Sequence, residues 1–325
     1  MQKMTKPDIK IFTNHVDGGW SPYDIDEMLG GSEEGVVMLA GVMSQDYNVT
    51  VYHTQKEKGS VDYKGVHYLS RDEAEVFNTD ILITFKDPTP YLQGATCKRK
   101  IHWSSEVEKY WDTDVVDYYV SLSDYHKSRN SFPLKDKSIA IPHGIDIGHL
   151  MDNKIPREPK TILYSSSPDR GLFRLLTDWE RISKEYKGVK LRITYGFNVF
   201  DQVTRGSGND YKHEIERLIN QKGVEFLGTL SRDDMAKEYW RAEYWALPLE
   251  NPDSELFCIN AIKSRYCGVV PIVNKIGALS NTVGDYIDYT SFISGKPTIT
   301  THESTVRVSD WQTVYDKFWK PLLRD

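Results

Sequence analysis

The sequence predicts an α/β protein of two domains, each a parallel sheet covered by helices on both faces. Three observations carry this. The chain has 325 residues, more than one hydrophobic core ordinarily encloses. Short, near-continuous apolar runs alternate with helical stretches from end to end, the signature of strands buried on both faces. A polar segment with two prolines, GHLMDNKIPREPKT (148–161), interrupts the alternation near the middle. The expected division is therefore residues 1–150, residues 151–305, and a tail over 306–325 that can pack back on the first domain.

In the first half, strands are expected at IKIF (9–12), VTVYH (49–53), DILIT (80–84), KIHW (100–103), YYVSL (118–122) and SIAI (138–141). In the second half they are expected at TILYS (161–165), KLRITYG (190–196), VEFLG (224–228), YWALP (244–248) and VVPIV (269–273). Helices follow the 3.6-residue period. Residues 33–45 put Val36, Leu39, Ala40 and Met43 on one face, with Ser32 as cap and Glu33 and Glu34 at the positive end of the dipole. GLFRLLTDWERISKEY (171–186) carries Leu172, Leu175, Leu176 and Trp179 on one stripe. KHEIERLINQKG (212–223) stops at Gly223, and Ser231 caps the next helix. The tail has Trp311, Val314, Tyr315 and Phe318 at helical spacing.

Composition excludes several classes. Hydrophobic residues are 39% and charged residues 27%, as in soluble globular proteins. No apolar run approaches the roughly 18–20 residues of a membrane span. The opening MQKMTKPDIKIF lacks the apolar core of a signal peptide, and Cys97, Cys258 and Cys267 have no metal-type spacing. A cytoplasmic protein with reduced thiols is the expectation. The net charge of −6 argues against a surface built mainly for nucleic acid. CKRK (97–100) is the densest basic run and reads equally well as a solvated loop. DID (24–26) and DTD (112–114) have the D-x-D form of a metal motif but read as loop acids, and no metal is expected.

Three stretches can carry ligand chemistry. LGGSEEGVV (29–37) sets Gly30 and Gly31 before a helix, where backbone N–H groups can approach a phosphate or sugar; a plain turn has the same form. In ILYSSSPDRGLFRLL (162–176) a strand ends in Ser165, Ser166 and Ser167, and Arg170 can clamp phosphate oxygens with a charge that never titrates away; a capped turn with a surface arginine is the alternative. In LENPDSELFCINAIKSRYCG, Asp253 or Ser254 can cap a helix reaching about Tyr266, which puts Glu255 in its first turn. There Glu255 can accept hydrogen bonds from sugar hydroxyls or simply stabilise the dipole.

These features occur together and in order: Gly-Gly after the first strand, SSSPDRGL opening the second domain, and ELFCINAIK before a Gly-Val-Val-Pro strand. The arrangement resembles the retaining glycosyltransferases of the GT-B fold, family 4 (glycosyl transferases group 1). VEFLGTLSRDDMAKEYWRAEYWALP is similar to the family's segment ahead of its acidic motif, and DYYVSLSDYHKS followed by IAIPHGID to the end of its first domain. The resemblance runs from about Ile9 to about Val273.

The resemblance implies two Rossmann-like domains facing across a cleft. The nucleotide-sugar would bind mainly on the second and the acceptor mainly on the first, with no metal or other cofactor, because positive groups stabilise the leaving diphosphate. Gly30 and Gly31 would face the donor's diphosphate and sugar, and Arg170 stands where the family has a diphosphate-binding lysine. Glu255 matches the first acid of the family's Glu–seven residues–Glu motif and would contact the donor sugar. Ser165, Ser166, Ser167, Tyr195, Gly196, Phe257, Cys258, Ile259 and Lys263 complete the implied donor site. His102, Ser104, Ser105 and His143 are acceptor-side candidates.

Three departures stand out. Lys263 replaces the second acid, which grips the ribose diol, and a lysine has no acceptor with which to do so. Ser165 replaces an arginine, and the histidine that often follows the fourth strand has no clear counterpart. The implied reaction moves a hexose or pentose to a hydroxyl of a glycan, or of a protein or modified nucleic-acid base. A sugar-nucleotide epimerase or isomerase, or a catalytically degenerate sugar-nucleotide binder, is the alternative.

Overall fold

The apolar runs become the central strands of two sheets. The computed structural model describes residues 6–324 apart from 28, 58, 75–77, 108–112, 131–136 and 198–208. The chain divides into unit 1, Met1–Gly144 with Ser309–Asp325, and unit 2, Ile145–Val308. Unit 2 thus begins ahead of the 148–161 stretch, whose Arg157 holds the Cys267 and Gly268 carbonyls. Residues 306–308 also belong to unit 2, where the Val306 amide donates to the Asn281 carbonyl at 3.1 Å.

In unit 1 the strands are β1 (Asp8–Thr13), β2 (Asn48–His53), β3 (Val61–Tyr63), β4 (Val66–Ser70), β5 (Asn78–Phe85), β6 (Thr96–Trp103), β7 (Tyr118–Ser121) and β8 (Ser138–Ala140). Their order is β3-β4-β2-β1-β5-β6-β7-β8. All pairs are parallel except β3–β4, a hairpin at the edge. Its turn, Lys64-Gly65, has φ of 49° and 77°, the pair of positive values that a two-residue hairpin needs. Ile9, Ile11, Val51, Leu82, Ile83 and Ile101 are completely buried, as expected of strands covered on both faces. CKRK lies in β6 rather than a loop, and Lys98 pairs with Asp80 at 2.6 Å.

The first helix, α1 (Gly31–Met43), buries Val36, Leu39, Ala40 and Met43. The expected Ser32 cap does not form. Gly30 is the N-cap, in extended conformation and with no side-chain cap, and the helix starts two residues earlier. The tail packs within unit 1: the Tyr315 hydroxyl and the Lys320 ammonium both reach Asp46 at 2.7 Å. A π-helical turn over Tyr315–Trp319 widens the spiral by one residue, so Trp319 takes the buried position expected for Phe318.

In unit 2 the strands are β9 (Thr161–Tyr164), β10 (Lys190–Thr194), β11 (Val224–Gly228), β12 (Tyr244–Leu247), β13 (Val270–Val273), β14 (Tyr286–Asp288) and β15 (Ile299–Thr300). Their order is β11-β10-β9-β12-β13-β14-β15, parallel except for β14–β15. The helix expected over 171–186 is two, Leu172–Thr177 and Trp179–Glu185, broken at Asp178, whose carboxylate accepts from the Tyr289 hydroxyl at 2.9 Å. Ser231 caps Arg232–Arg241 as expected, its Oγ accepting the Asp234 amide at 3.1 Å.

Each unit starts its sheet in the interior. β1 lies between β2 and β5, and β9 lies between β10 and β12. The chain builds outward on one side and then crosses to the other. The reversal points, β1/β5 and β9/β12, are where open α/β sheets bind ligands, outside the carboxyl ends of the strands.

Candidate functional site

At the reversal point of unit 2, two loops meet. The first leaves β9 at Ser165 and is held from several sides. The Ser165 hydroxyl accepts from Trp245 Nε1 at 3.1 Å, and its carbonyl accepts from Asn260 Nδ2 at 2.6 Å. Ser166 is buried, and Ser167 donates to Asp169. The Tyr164 hydroxyl donates to the Ser167 carbonyl at 2.7 Å, and Tyr211 donates to the Pro168 carbonyl at 2.6 Å. Gly171 ends the loop with φ of 92°, and a Cβ there would lie 2.5 Å from the Pro248 carbonyl oxygen. Only glycine permits that approach, and it sends the preceding Arg170 toward the end of β12.

The second loop brings Glu255. The expected helix start is not where the sequence suggests. Pro252–Ser254 form a 3₁₀ turn capped by Asn251, and Glu255 follows in extended backbone, φ −140° and ψ 104°. The helix begins at Ile259 with Cys258 as N-cap, so neither Asp253 nor Ser254 caps it and Glu255 is outside its first turn. The cause is a third segment. The Ala278 amide donates to the Glu255 carbonyl at 3.1 Å, and Gly277 packs on the Pro252 backbone where a Cβ would collide.

Arg170 Nη1 donates to Glu255 Oε2 at 2.9 Å. The Glu255 side chain is 9% exposed and that of Arg170 36%, so the carboxylate lies behind the guanidinium. Glu255 Oε1 also accepts the Phe257 amide at 3.3 Å, and the Cys258 thiol is a further donor to the carboxylate. Burial lifts the Glu255 carboxyl above the usual carboxylate range despite these partners. Burial works against the Arg170 charge, but Glu255, Asp169, Cys258 and Tyr195 outweigh it and hold that charge more firmly than usual. Burial pushes the Cys258 thiol well up, so it acts as a donor and not as a nucleophile.

The other expected donor-site residues divide. Tyr195 and Gly196 follow β10, the neighbour of β9, with φ of 110° and 62°. Phe257 and Cys258 are buried and Ile259 half-buried. Lys263 is half-buried on the helix Ile259–Tyr266, and its charge acts on the Cys267 thiol, which burial nevertheless pushes up to about 12. Asn260, one turn earlier, joins the Ser165 carbonyl to the Tyr239 hydroxyl at 2.6 Å each. Its only sign in the sequence is a polar residue inside the apolar run CINAI.

Gly30 and Gly31 belong to unit 1, exposed at the start of α1. The acceptor-side candidates are mostly internal to that unit. His102 is fully buried on β6, 2.7 Å from the Thr84 hydroxyl. His143 is buried beside Trp103 and Trp311, ring centroids 5.5 and 5.2 Å away. Ser104 is buried and exchanges hydrogen bonds with the Glu106 backbone, and Ser105 is half-buried. Both histidine side chains are thus buried within unit 1. Asp24 of DID accepts the Ser21 amide and pairs with Lys56, both at 2.8 Å. Asp114 of DTD pairs with Lys137 at 3.3 Å. Among the described residues no group of three or more His, Cys, Asp or Glu can hold a metal ion, and no helix is long and apolar enough to cross a membrane.

Residues 150–301 match the family model of glycosyl transferases group 1. No curated protein sequence matches the chain. Solved structures share the fold at low identity. AviGT4, a glycosyltransferase involved in avilamycin A biosynthesis, is 14% identical with a TM-score of 0.65, covering 98% of this chain and 97% of its own. The sucrose-phosphate synthase of Thermosynechococcus elongatus is 12% identical at a TM-score of 0.65, covering 89% and 88%. HepE of Anabaena, solved with UDP and glucose, is 10% identical at 0.56, covering 97% and 91%. The family match falls on the unit that holds Arg170 and Glu255, and both units are Rossmann-like α/β sheets. Residues 150–301 thus match glycosyl transferases group 1, and the chain as a whole shares the GT-B fold of these glycosyltransferase structures.

Proposed function

We propose that the chain transfers a sugar from a nucleotide-sugar bound on unit 2 to an acceptor hydroxyl, with retention of configuration and without a bound metal. The observation that supports it best is the Arg170–Glu255 pair at the reversal point of the family-matched unit. As the sugar–phosphate bond breaks, negative charge grows on the diphosphate. Arg170, a third exposed and permanently charged, opposes it in a partly dry site. A carboxylate has about four lone-pair sites. Arg170, the Phe257 amide and the Cys258 thiol leave Glu255 room for a sugar hydroxyl. In the retaining reaction the leaving phosphate oxygen takes the acceptor's proton, and the new sugar–oxygen bond forms on the face that the phosphate leaves.

Lys263 favours a second reading, a domain that binds sugar nucleotides without turning them over, because it replaces the acid that would grip the ribose. One experiment separates the two. HepE was solved with UDP and glucose, and Arabidopsis thaliana starch synthase IV with ADP and acarbose, so UDP- and ADP-sugars come first. The purified chain is melted with each donor, with chelator and with magnesium, and nucleoside diphosphate release is followed with simple glycan acceptors. A bound donor raises Tm by mass action. Stabilisation with turnover in chelator supports the transferase, and NMR of the product anomer tests retention. Stabilisation with no turnover, even by slow hydrolysis, supports the binder.

A further inference from the structure

We infer that Tyr195 is a specificity residue for the donor's diphosphate: the chain holds a strained backbone after β10 and so keeps a phenol at the end of the strand that pairs with β9, next to the loop that carries Arg170. This rests on the donor-site reading above and deepens it.

Among the described residues, the non-glycine residues with positive φ are Lys64, Lys86, Lys160 and Tyr195. The three lysines, at 49–61°, lie in or at the edge of the left-handed well that a side chain can tolerate. Tyr195, at 110°, lies beyond it, on ground that glycine occupies at little cost and a residue with a Cβ does not. The surroundings fix this conformation. The Tyr195 amide donates to the Gly228 carbonyl at 2.9 Å, and the Tyr195 carbonyl accepts the Thr229 hydroxyl at 3.0 Å. The ladder between β10 and β11 shifts register just before, between Ile193 and Thr194. The side chain cannot move one place along, because a Cβ on Gly196 would lie 2.7 Å from Thr229 Oγ1.

A glycine at 195 would meet every one of these backbone demands without strain, so what the tyrosine adds is its side chain. That side chain is half-exposed and not part of the core. It leaves the strand beside β9, whose loop carries Arg170, and its phenol is within electrostatic reach of that guanidinium, as are Asp169, Glu255 and Cys258. Arg170 already gives one N–H to Glu255. A neutral phenol O–H supplies a further donor to phosphate oxygens at the same place without adding charge.

The test uses Tyr195→Phe and Tyr195→Gly in the full chain, with UDP, ADP, GDP, CDP and dTDP as calorimetric probes and melts of the ligand-free proteins alongside. Tyr195→Phe is expected to keep the wild-type Tm and to bind the preferred nucleoside diphosphate about tenfold more weakly. Tyr195→Gly is expected to bind as weakly or more so while its Tm stays level or rises by about 2 °C, because strain is released. Wild-type affinity in Tyr195→Phe, or a lower Tm in Tyr195→Gly, overturns the inference and makes Tyr195 a packing residue. Failure of the wild type to bind any of the five sinks the donor-site reading itself, which the variants are not needed to show.

Discussion

Units 1 and 2 each place an arginine–carboxylate pair at the carboxyl edge of the sheet, beside the reversal point, and the two pairs are tuned in opposite directions. In unit 1, Arg71 Nη2 meets Asp87 Oδ2 at 2.7 Å, Arg71 Nη1 donates to the Thr13 carbonyl at 3.0 Å, and the guanidinium lies over the Phe12 ring at 4.7 Å. Burial opposes the Asp87 charge, but the side chain and backbone of Thr89 together with Arg71 outweigh it and hold the carboxyl below its ordinary range. In unit 2, burial wins at Glu255 and lifts the carboxyl. The same two residue chemistries thus make an acid held charged in one unit and an acid lifted by burial in the other. What differs is burial: each carboxylate has three donor groups, but the Asp87 side chain keeps 19% of its surface exposed and that of Glu255 only 9%, so burial outweighs the donors at Glu255.

The largest expected effect breaks the unit 2 acid. Glu255→Gln should lower kcat by about 10²–10³-fold in steady-state assays, because one preorganised polar contact to the reacting sugar is lost. Asp87→Asn should leave kcat within a few fold, and an equal loss there would end the contrast. Next comes pairing. Arg170→Met strands a buried carboxylate and should cost about 3 kcal/mol in urea unfolding, most of it recovered in the Arg170→Met/Glu255→Gln double variant. Arg71→Met/Asp87→Asn should recover less, since the Thr13 carbonyl stays unpaired.

A similar magnitude is expected at His53, buried beside Trp20 and Tyr68 and lowered to about 4 by burial. Its folded value lies below its ordinary 6.5, so the unfolded chain takes up the proton first as pH falls. Stability should be full above pH 6.5 and decline by about 3 kcal/mol toward pH 4, and His53→Phe should flatten that limb. The smallest effects sharpen the sign of the comparison. Asp87, lowered, contributes stability above its ordinary 3.8 that is lost as pH falls through its folded value. Glu255, raised, contributes stability present below its ordinary 4.5 and lost as pH rises through its folded value. Denaturation curves of Asp87→Asn and Glu255→Gln against pH should therefore diverge from wild type at opposite ends.

The central strands and the two loops that meet in unit 2 are legible in the sequence because they rest on local pattern. Apolar runs make buried strands, and SSSPDRG and ENPDSE read as turns. What the sequence conceals is set by partners far along the chain. Asp178 breaks a helix that its own neighbours would continue, and its carboxylate meets Tyr289. Pro252-Asp253-Ser254 looks like a helix cap but is spent on a 3₁₀ turn against Gly277. β3 and β4 are short and half-exposed, so only Lys64-Gly65 marks them. His102 and His143 are buried, and nothing local in the sequence says so.

Gly171 lies against the Pro248 carbonyl, and Gly277 against the Pro252 backbone. Both contacts fuse neighbouring loops into one piece that tolerates no added atom. For anyone altering the proposed sugar-nucleotide site, the two glycines are the frame and should be left alone. Tyr195 and Lys263 lie outside those two contacts, so a small library at those two positions is a better search than randomising the loops.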